Sequence, residues 1–148
     1  MKKLMIAAAT AACLAFASPA AAQDLAYTPG DYWSIGMIDV EDGQFDTYMD
    51  FLSSTWRRQL EFARQRGWIS GYHILVNAYP RDGEPDLYLL TVQSRLANPQ
   101  EEMERLRLIE QHMSQTARQM ETASGERVRI RRQMGSMLLQ ELNLRPAR

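Results

Sequence analysis

Cysteine, lysine and histidine are scarce in this chain of 148 residues. The one cysteine is Cys13, the two lysines are Lys2 and Lys3, and the two histidines are His73 and His112. One cysteine cannot form an intramolecular disulfide, and a zinc site built on several thiolates needs more of them. Glycine-rich phosphate loops and the HExxH and GxSxG motifs are missing too, so the chain lacks the usual motifs of nucleotide binding, zinc proteolysis and serine hydrolysis.

The first 22 residues show the three zones of a cleavable secretory signal peptide. Residues 1–3 (MKK) are basic, residues 4–17 are apolar apart from one hydroxyl, and residues 18–22 (SPAAA) end in small side chains. The apolar run is shorter than the roughly 20 residues that a membrane-spanning helix needs. We therefore expect a signal peptide over 1–22, a mature chain that starts at Gln23, and a periplasmic or secreted protein that is not an integral membrane protein. The alternative is a lipoprotein signal acylated at Cys13, although the leucine usual three positions before the cysteine is absent.

The remaining residues, 23–148, suffice for a single domain with a hydrophobic core and no covalent cross-link. Their charge is uneven, since residues 23–56 hold seven acidic residues and no basic one, whereas all fifteen arginines lie in 57–148. The densest basic run is segment 127–132 (RVRIRR). Export and a net negative charge argue against nucleic acid as a partner. A solvated face, pairing with the acidic third of the chain, or contact with an envelope lipid or envelope partner would each account for the run.

The first half of the mature chain predicts a strand followed by a helix. Residues 23–30 read as an irregular lead-in with a turn at Pro29-Gly30, and residues 32–40 as a strand. A helix follows over 44–66, capped by Asp42 and ended by Gly67 in the left-handed conformation. Its apolar face, spaced at three and four residues, consists of Phe45, Met49, Leu52, Trp56, Leu60 and Ala63.

The second half predicts two strands, a helix and a last strand. Residues 72–79 and 87–93 are rich in branched and aromatic side chains, and the proline- and glycine-containing loop between them predicts an antiparallel hairpin. Residues 98–101 (NPQE) carry the signals of a helix start, and Ser124-Gly125 interrupts the helix. Its predicted core face consists of Met103, Leu106, Ile109, Met113, Thr116 and Met120.

The C-terminal part is predicted less completely. Residues 126–133 fit either a helical continuation or an extended connector, and residues 137–144 (MLLQELNL) read as the final strand.

This order of elements predicts an α+β fold of the ferredoxin-like β-α-β-β-α-β type, an antiparallel sheet with two helices on one face. The strand residues are apolar on both alternate sides, whereas a sheet with one wet face alternates apolar with polar residues. The simplest cover for the helix-free face is a second copy of the chain, so we expect a homodimer.

The element order, the two-sided strands, Trp56 and the stretch 67–72 (GWISGY) resemble the dimeric α+β barrel, or ferredoxin-like, superfamily. More narrowly, the chain is similar to small uncharacterised exported proteins of Gram-negative bacteria with that architecture. The resemblance implies a sheet-to-sheet homodimer with a pocket in each subunit between sheet and helices. The superfamily includes monooxygenases, isomerases and proteins without known activity, and no catalytic motif of its enzymes matches residues here.

No metal site is expected from the sequence. His112 has no ligand-type residue three or four positions away on its helix, and His73 is far from it in sequence. We therefore predict no metal and no cofactor, with haem left open because axial ligation needs a single imidazole.

The aromatic and methionine residues exceed what a small core needs and are typical of apolar pockets. We expect a small apolar or aromatic ligand between sheet and helices, lined by His73, Tyr72 and Trp56. A monooxygenase- or isomerase-type enzyme that uses His73, a tyrosine or an acid is one alternative. An envelope interaction protein that docks through segment 127–132 is the other.

Overall fold

The computed structural model describes residues 25–146, so the predicted signal peptide, Gln23 and Cys13 lie outside the described residues. In chain order the elements are β1 (Tyr27–Val40), α1 (Phe45–Phe51), a π-helical turn (Leu52–Trp56), α2 (Arg57–Gln65), β2 (Gly71–Val76), β3 (Leu87–Gln93), α3 (Pro99–Met113), α4 (Ala117–Glu126), a 3₁₀ turn (Arg127–Arg129) and β4 (Arg131–Leu144). The predicted α+β class is confirmed. Within 25–146, none of the helices has both the length and the apolar character needed to cross a bilayer.

The four strands form one antiparallel sheet in the order β2-β3-β1-β4. The predicted hairpin is present, and β2 pairs with β3 so that Ile74 lies opposite Leu89. β1 is central and pairs with both β3 and β4, which places Ile38 opposite Leu87 and Trp33 opposite Leu139.

Residues opposite each other in the register share a face of the sheet, so the pairing divides the side chains into two sets. On the helix face, Ile38, Ile74, Leu87 and Leu89 pack against the first helical run, in one cluster with Tyr48 and Leu52. The other side, called the open face below, carries Trp33, Ile35, Met37, His73, Leu75, Tyr88, Leu90, Val92, Met137 and Leu139.

The first helical run spans Phe45–Gln65, close to the predicted 44–66, but a π-helical turn divides it. Tyr48 and Leu52 are its most buried side chains, at 2% and 1% exposure, whereas the predicted core residue Phe45 is 44% exposed. Phe45 is the first helical residue, and Tyr48 one turn later takes the place against the sheet.

The two ends of this run differ in how well local chemistry predicts them. The predicted cap at Asp42 is wrong, because a turn with Gly43 at a φ of 74° intervenes and Gln44 occupies the cap position. The predicted stop at Gly67 is confirmed by its φ of 69°. The Trp68 amide then donates to the Ala63 carbonyl at 3.0 Å, which closes the helix end.

The second helix begins as predicted and ends early. The Asn98 side chain accepts from the Glu101 amide, and the Glu101 carboxylate accepts from the Asn98 amide, a complete capping box. The helix stops at Ser114, which has a φ of 54°. Thr116 starts α4 with its own capping box, since its hydroxyl accepts from the Gln119 amide at 3.2 Å.

Two further expectations for this region are therefore wrong. Ser124-Gly125 lies inside α4 and does not interrupt a helix. Met103 is 76% exposed rather than in the core, because α3 turns this position toward solvent.

The strand boundaries also differ from those predicted, except for β3, which is confirmed. β1 begins at Tyr27, because the register shift that follows Pro29 lets the lead-in pair with β4 and replaces the predicted turn. β2 ends at Val76, and β4 already begins at Arg131. The ambiguous segment 126–133 is thus the end of α4, a 3₁₀ turn and the start of a strand.

Candidate functional site

Trp56 and Tyr72, two of the three predicted site residues, lie against each other on the helix face. Their rings meet edge to face with centroids 5.4 Å apart, and Trp56 ends the π-helical turn, a feature often found at functional sites. The Tyr72 hydroxyl donates to Glu61 Oε1 at 2.6 Å. That hydrogen bond raises the pKa of Tyr72 and lowers the pKa of Glu61. The phenol is therefore held neutral, which suits it to positioning rather than to proton transfer.

His73, the third predicted residue, lies on the open face, because successive strand residues point to opposite sides. It is exposed, and its ring stacks on Trp33 with centroids 6.3 Å apart. His112 similarly stacks on Phe62, with centroids 4.2 Å apart. The structure thus separates His73 from Trp56 and Tyr72, and it packs both imidazoles on aromatic rings.

A cavity of about 410 Å³ lies within the helical layer and is called the helix-layer cavity below. Residues of the first helical run, of α3 and α4 and of the turns after these two helices face the cavity, and most are apolar: Phe51, Thr55, Gln59, Leu106, Met113, Gln115, Ala117, Met120, Ala123 and Arg127. It is an apolar space with one cationic side chain.

Arg127 stands between this space and a second cavity of about 620 Å³, the adjoining cavity, because it lines both. Its guanidinium lies over the Phe51 ring, 4.0 Å from the centroid, so a ring face and a cation are stacked where the two cavities meet. Burial, together with the neighbouring Arg131, lowers the pKa of Arg127. Glu126 and Arg129 also line the adjoining cavity, which is therefore the more polar of the two.

Arg131 is the one buried charged side chain among the described residues, at 9% exposure. Its Nη2 donates to Ser124 Oγ at 3.0 Å. Burial raises the pKa of the neighbouring Tyr48 phenol, against the opposing effect of Arg131, so the phenol stays neutral. A buried cation here faces neutral oxygens and no carboxylate.

The basic segment 127–132 does not form one continuous exposed face. Arg127 and Arg131 turn inward, as described above. Arg132 pairs with Asp39 at 2.8 Å, and the exposed Arg129 donates to the carbonyl of Glu126.

Two other cavities flank Trp68. One, of about 540 Å³, has a polar lining that includes the Arg95–Glu101 ion pair at 2.7 Å. The other, of about 250 Å³, lies between Gln93 of the sheet and Ile109 of α3. Neither is lined by Trp56, Tyr72 or His73.

The described residues contain no cluster of three histidine, cysteine or acidic side chains that could hold a metal ion. Neither His73 nor His112 lines any of the four cavities described here.

Reasoning from sequence placed Met113 and Met120 on an apolar helix face but missed the cavity they enclose, and it missed Phe51 and Arg127. The available signal was the arginine that follows α4 directly, in a segment where Val128 and Ile130 interleave the charges. Which of those arginines turns inward depends on the 3₁₀ turn at Arg127–Arg129.

Comparison of the chain with protein-family models, with curated proteins and with solved structures finds no match.

Proposed function

We propose that this protein binds a small apolar molecule in the helix-layer cavity. The observation that carries the proposal is a half-open, mostly apolar space of about 410 Å³ lined by side chains from the first helical run, α3 and α4. Small-molecule sites in proteins are typically concave, mostly apolar spaces of about 300–1,000 Å³ with few polar groups. If one heavy atom occupies about as much space as a water molecule, roughly 30 Å³, a ligand of about ten to twelve heavy atoms fits.

The lining suits such a ligand chemically as well as in size. Met113 and Met120 supply flexible thioether side chains that adapt to apolar ligands of different shape. Phe51 offers a ring, and Thr55 and Gln59 offer a few polar groups at the wall. The pocket expected from the sequence lies between the sheet and the helices, whereas no strand residue lines the helix-layer cavity. A role for Trp56, Tyr72 and His73 stays a prediction.

A calorimetric titration of the protein with 1-decanol tests this proposal. We expect saturable binding with one site per chain, and we expect Ala123→Phe to abolish it because the new ring leaves too little room for the chain of 1-decanol. Ala78→Phe is the matched control, since Ala78 is exposed in the loop after β2 and does not line the cavity. Absence of binding to the wild-type protein, or unchanged binding to Ala123→Phe, would refute the proposal. Loss of binding in Trp56→Ala but not in Ala123→Phe would move the site to the Trp56–Tyr72 contact.

The fold is proposed to be ferredoxin-like, and the protein is proposed to act as a homodimer through the open face. Support for the fold comes from the β-α-β-β-α-β succession, with α3 and α4 together in the second helical position, and from the all-antiparallel order β2-β3-β1-β4. Support for the dimer comes from the apolar side chains of the open face, of which Leu75, Met137 and Leu139 are 52%, 38% and 50% exposed.

The size of the open face also supports the dimer. From a strand spacing of about 4.8 Å and a rise of about 3.3 Å per residue, the flat area of the face is about 650 Å². A stable interface buries about 800 Å² of accessible surface on each partner. Because side chains stand out from the flat sheet, the open face is of the required size.

Light scattering on the purified protein measures the oligomeric state directly. We expect twice the monomer mass for the wild type and the monomer mass for Leu75→Glu, which puts a charge among the apolar side chains of the open face. Met103→Glu is the control, because Met103 is 76% exposed on α3 and away from the open face. A wild-type monomer, or a dimer in Leu75→Glu, would contradict the sheet-to-sheet dimer.

We propose that the protein is exported, because residues 1–22 show the three zones of a signal peptide. Terminal sequencing of the protein from its own cells should find Gln23 first. An intact Met1 or an acylated Cys13 would contradict the proposed processing.

A further inference from the structure

Two arginine side chains beside the helix-layer cavity lack partners for their charge. The Nε atoms of Arg127 and Arg131 are buried and have no hydrogen-bond acceptor. Neither guanidinium forms an ion pair with any carboxylate in residues 25–146. Arg131 donates to the neutral Ser124 hydroxyl and lies beside the neutral Tyr48 phenol, and Arg127 lies over the Phe51 ring.

This arrangement is unusual for the buried Arg131 and the partly buried Arg127. Buried charges are normally paired, because the loss of hydration is otherwise uncompensated. Here two like charges are close enough for Arg131 to help lower the pKa of Arg127. Other arginines of the described chain do have acids, as Arg64 with Glu61 and Arg107 with Glu104 show. The site therefore holds two cationic side chains with no acid of the described chain at ion-pair distance from either.

The position of Arg127 in the wall of the helix-layer cavity indicates which kind of anion would fit there. Its side chain lines the helix-layer cavity, whose other walls are mostly apolar. A ligand with its apolar body in that cavity would place a terminal polar group beside the guanidinium. The planar fork of an arginine matches a carboxylate with two parallel hydrogen bonds.

We infer that the helix-layer cavity takes an amphipathic monocarboxylate, with its carboxylate on Arg127 and an apolar chain or ring system of about ten carbons among Leu106, Met113 and Met120. The inference rests on the proposed function, because it names the ligand class of that same cavity. A doubly charged phosphate fits less well, since the Glu126 carboxylate lines the adjoining cavity next to Arg127. Arg131 acts behind Arg127 and keeps its surroundings positive.

Decanoate and 1-decanol are the probes, because they differ only in the head group. Calorimetry at pH 7 and low micromolar to millimolar ligand should show decanoate bound at least tenfold more tightly than 1-decanol by the wild-type protein. Arg127→Gln should remove that preference, so that decanoate binds no more tightly than 1-decanol to this variant. Arg118→Gln is the matched control, since Arg118 is exposed on α4 and lines none of the cavities described. Thermal unfolding checks that both variants are folded.

The outcomes separate this inference from the proposed function. Equal binding of decanoate and 1-decanol by the wild type, or a preference that survives in Arg127→Gln, overturns the carboxylate site and leaves an apolar cavity in place. Binding of neither compound overturns both. A preference lost equally in Arg118→Gln and Arg127→Gln would show a general charge effect and would also overturn the assignment to Arg127.

Discussion

Replacing Leu52 with alanine should cost this protein a large part of its stability. Leu52 is 1% exposed and begins the π-helical turn, where it packs with Ile38, Tyr48 and Leu87 between the helical layer and the sheet. Leucine-to-alanine changes at enclosed sites cost about 2.7–5 kcal/mol, because they remove apolar contacts and leave a cavity that relaxes only partly. The near-complete burial of Leu52 places the expected loss at about 3–4 kcal/mol, against a typical domain stability of about 5–15 kcal/mol.

Urea unfolding followed by tryptophan fluorescence measures this loss. The midpoint should fall by about 1.5–2 M at an unchanged slope, since a slope of about 2 kcal/mol/M is typical of a small domain. Leu144→Ala is the matched control, because Leu144 is 82% exposed near the end of β4 and its loss should cost less than about 0.5 kcal/mol. A cost below about 1 kcal/mol for Leu52→Ala would show that the helical layer does not pack on the helix face as described.

Two further predictions concern α4 and the ion pair at the start of α3. Thr116→Ala should destabilise the protein by about 1 kcal/mol in the same urea assay, because Thr116 Oγ1 caps α4, whereas Thr122→Ala in the exposed middle of α4 should change little. The hydrogen bonds from Arg95 and from the Asn98 amide lower the pKa of Glu101 to about 2. Because this folded-state pKa lies below the unfolded value of about 4.3, the stabilisation is complete above about pH 5 and is lost as the pH falls toward 2. Glu101→Gln should therefore lose less stability than the wild type between pH 6 and pH 2.5. Arg95→Gln should show a smaller effect in the same direction, because the hydrogen bond from the Asn98 amide remains. An identical acid loss in all three proteins would contradict this.

Elements defined by local chemistry could be predicted from the sequence. The stop at Gly67 depends on one residue that tolerates a positive φ, and the capping box of Asn98 and Glu101 is complete within four residues. The break at Ser114 also has a local signal, which is the capping box of Thr116 and Gln119 directly after it. The sequence does not predict this break because the three- and four-residue spacing of apolar residues continues across Ser114 and favours one continuous helix.

Features that depend on distant partners could not be predicted in full. Pairing of Tyr27 with Leu144 extends both β1 and β4, and no signal near either residue indicates it. Likewise, the strand register decides that Tyr72 faces the helices and His73 does not. For the candidate site, the composition indicates an apolar pocket, but the contact of the Arg127 guanidinium with the Phe51 ring depends on the tertiary fold.

A methyl NMR titration tests directly whether a ligand binds in the helix-layer cavity. The methyl groups of Met113 and Met120 line that cavity, whereas those of Met37 and Met137 lie on the open face. On addition of 1-decanol, we expect saturable shifts of the methyl resonances of Met113 and Met120 and no change in those of Met37 and Met137. Shifts confined to Met37 and Met137, or no saturable shift at all, would contradict binding in this cavity.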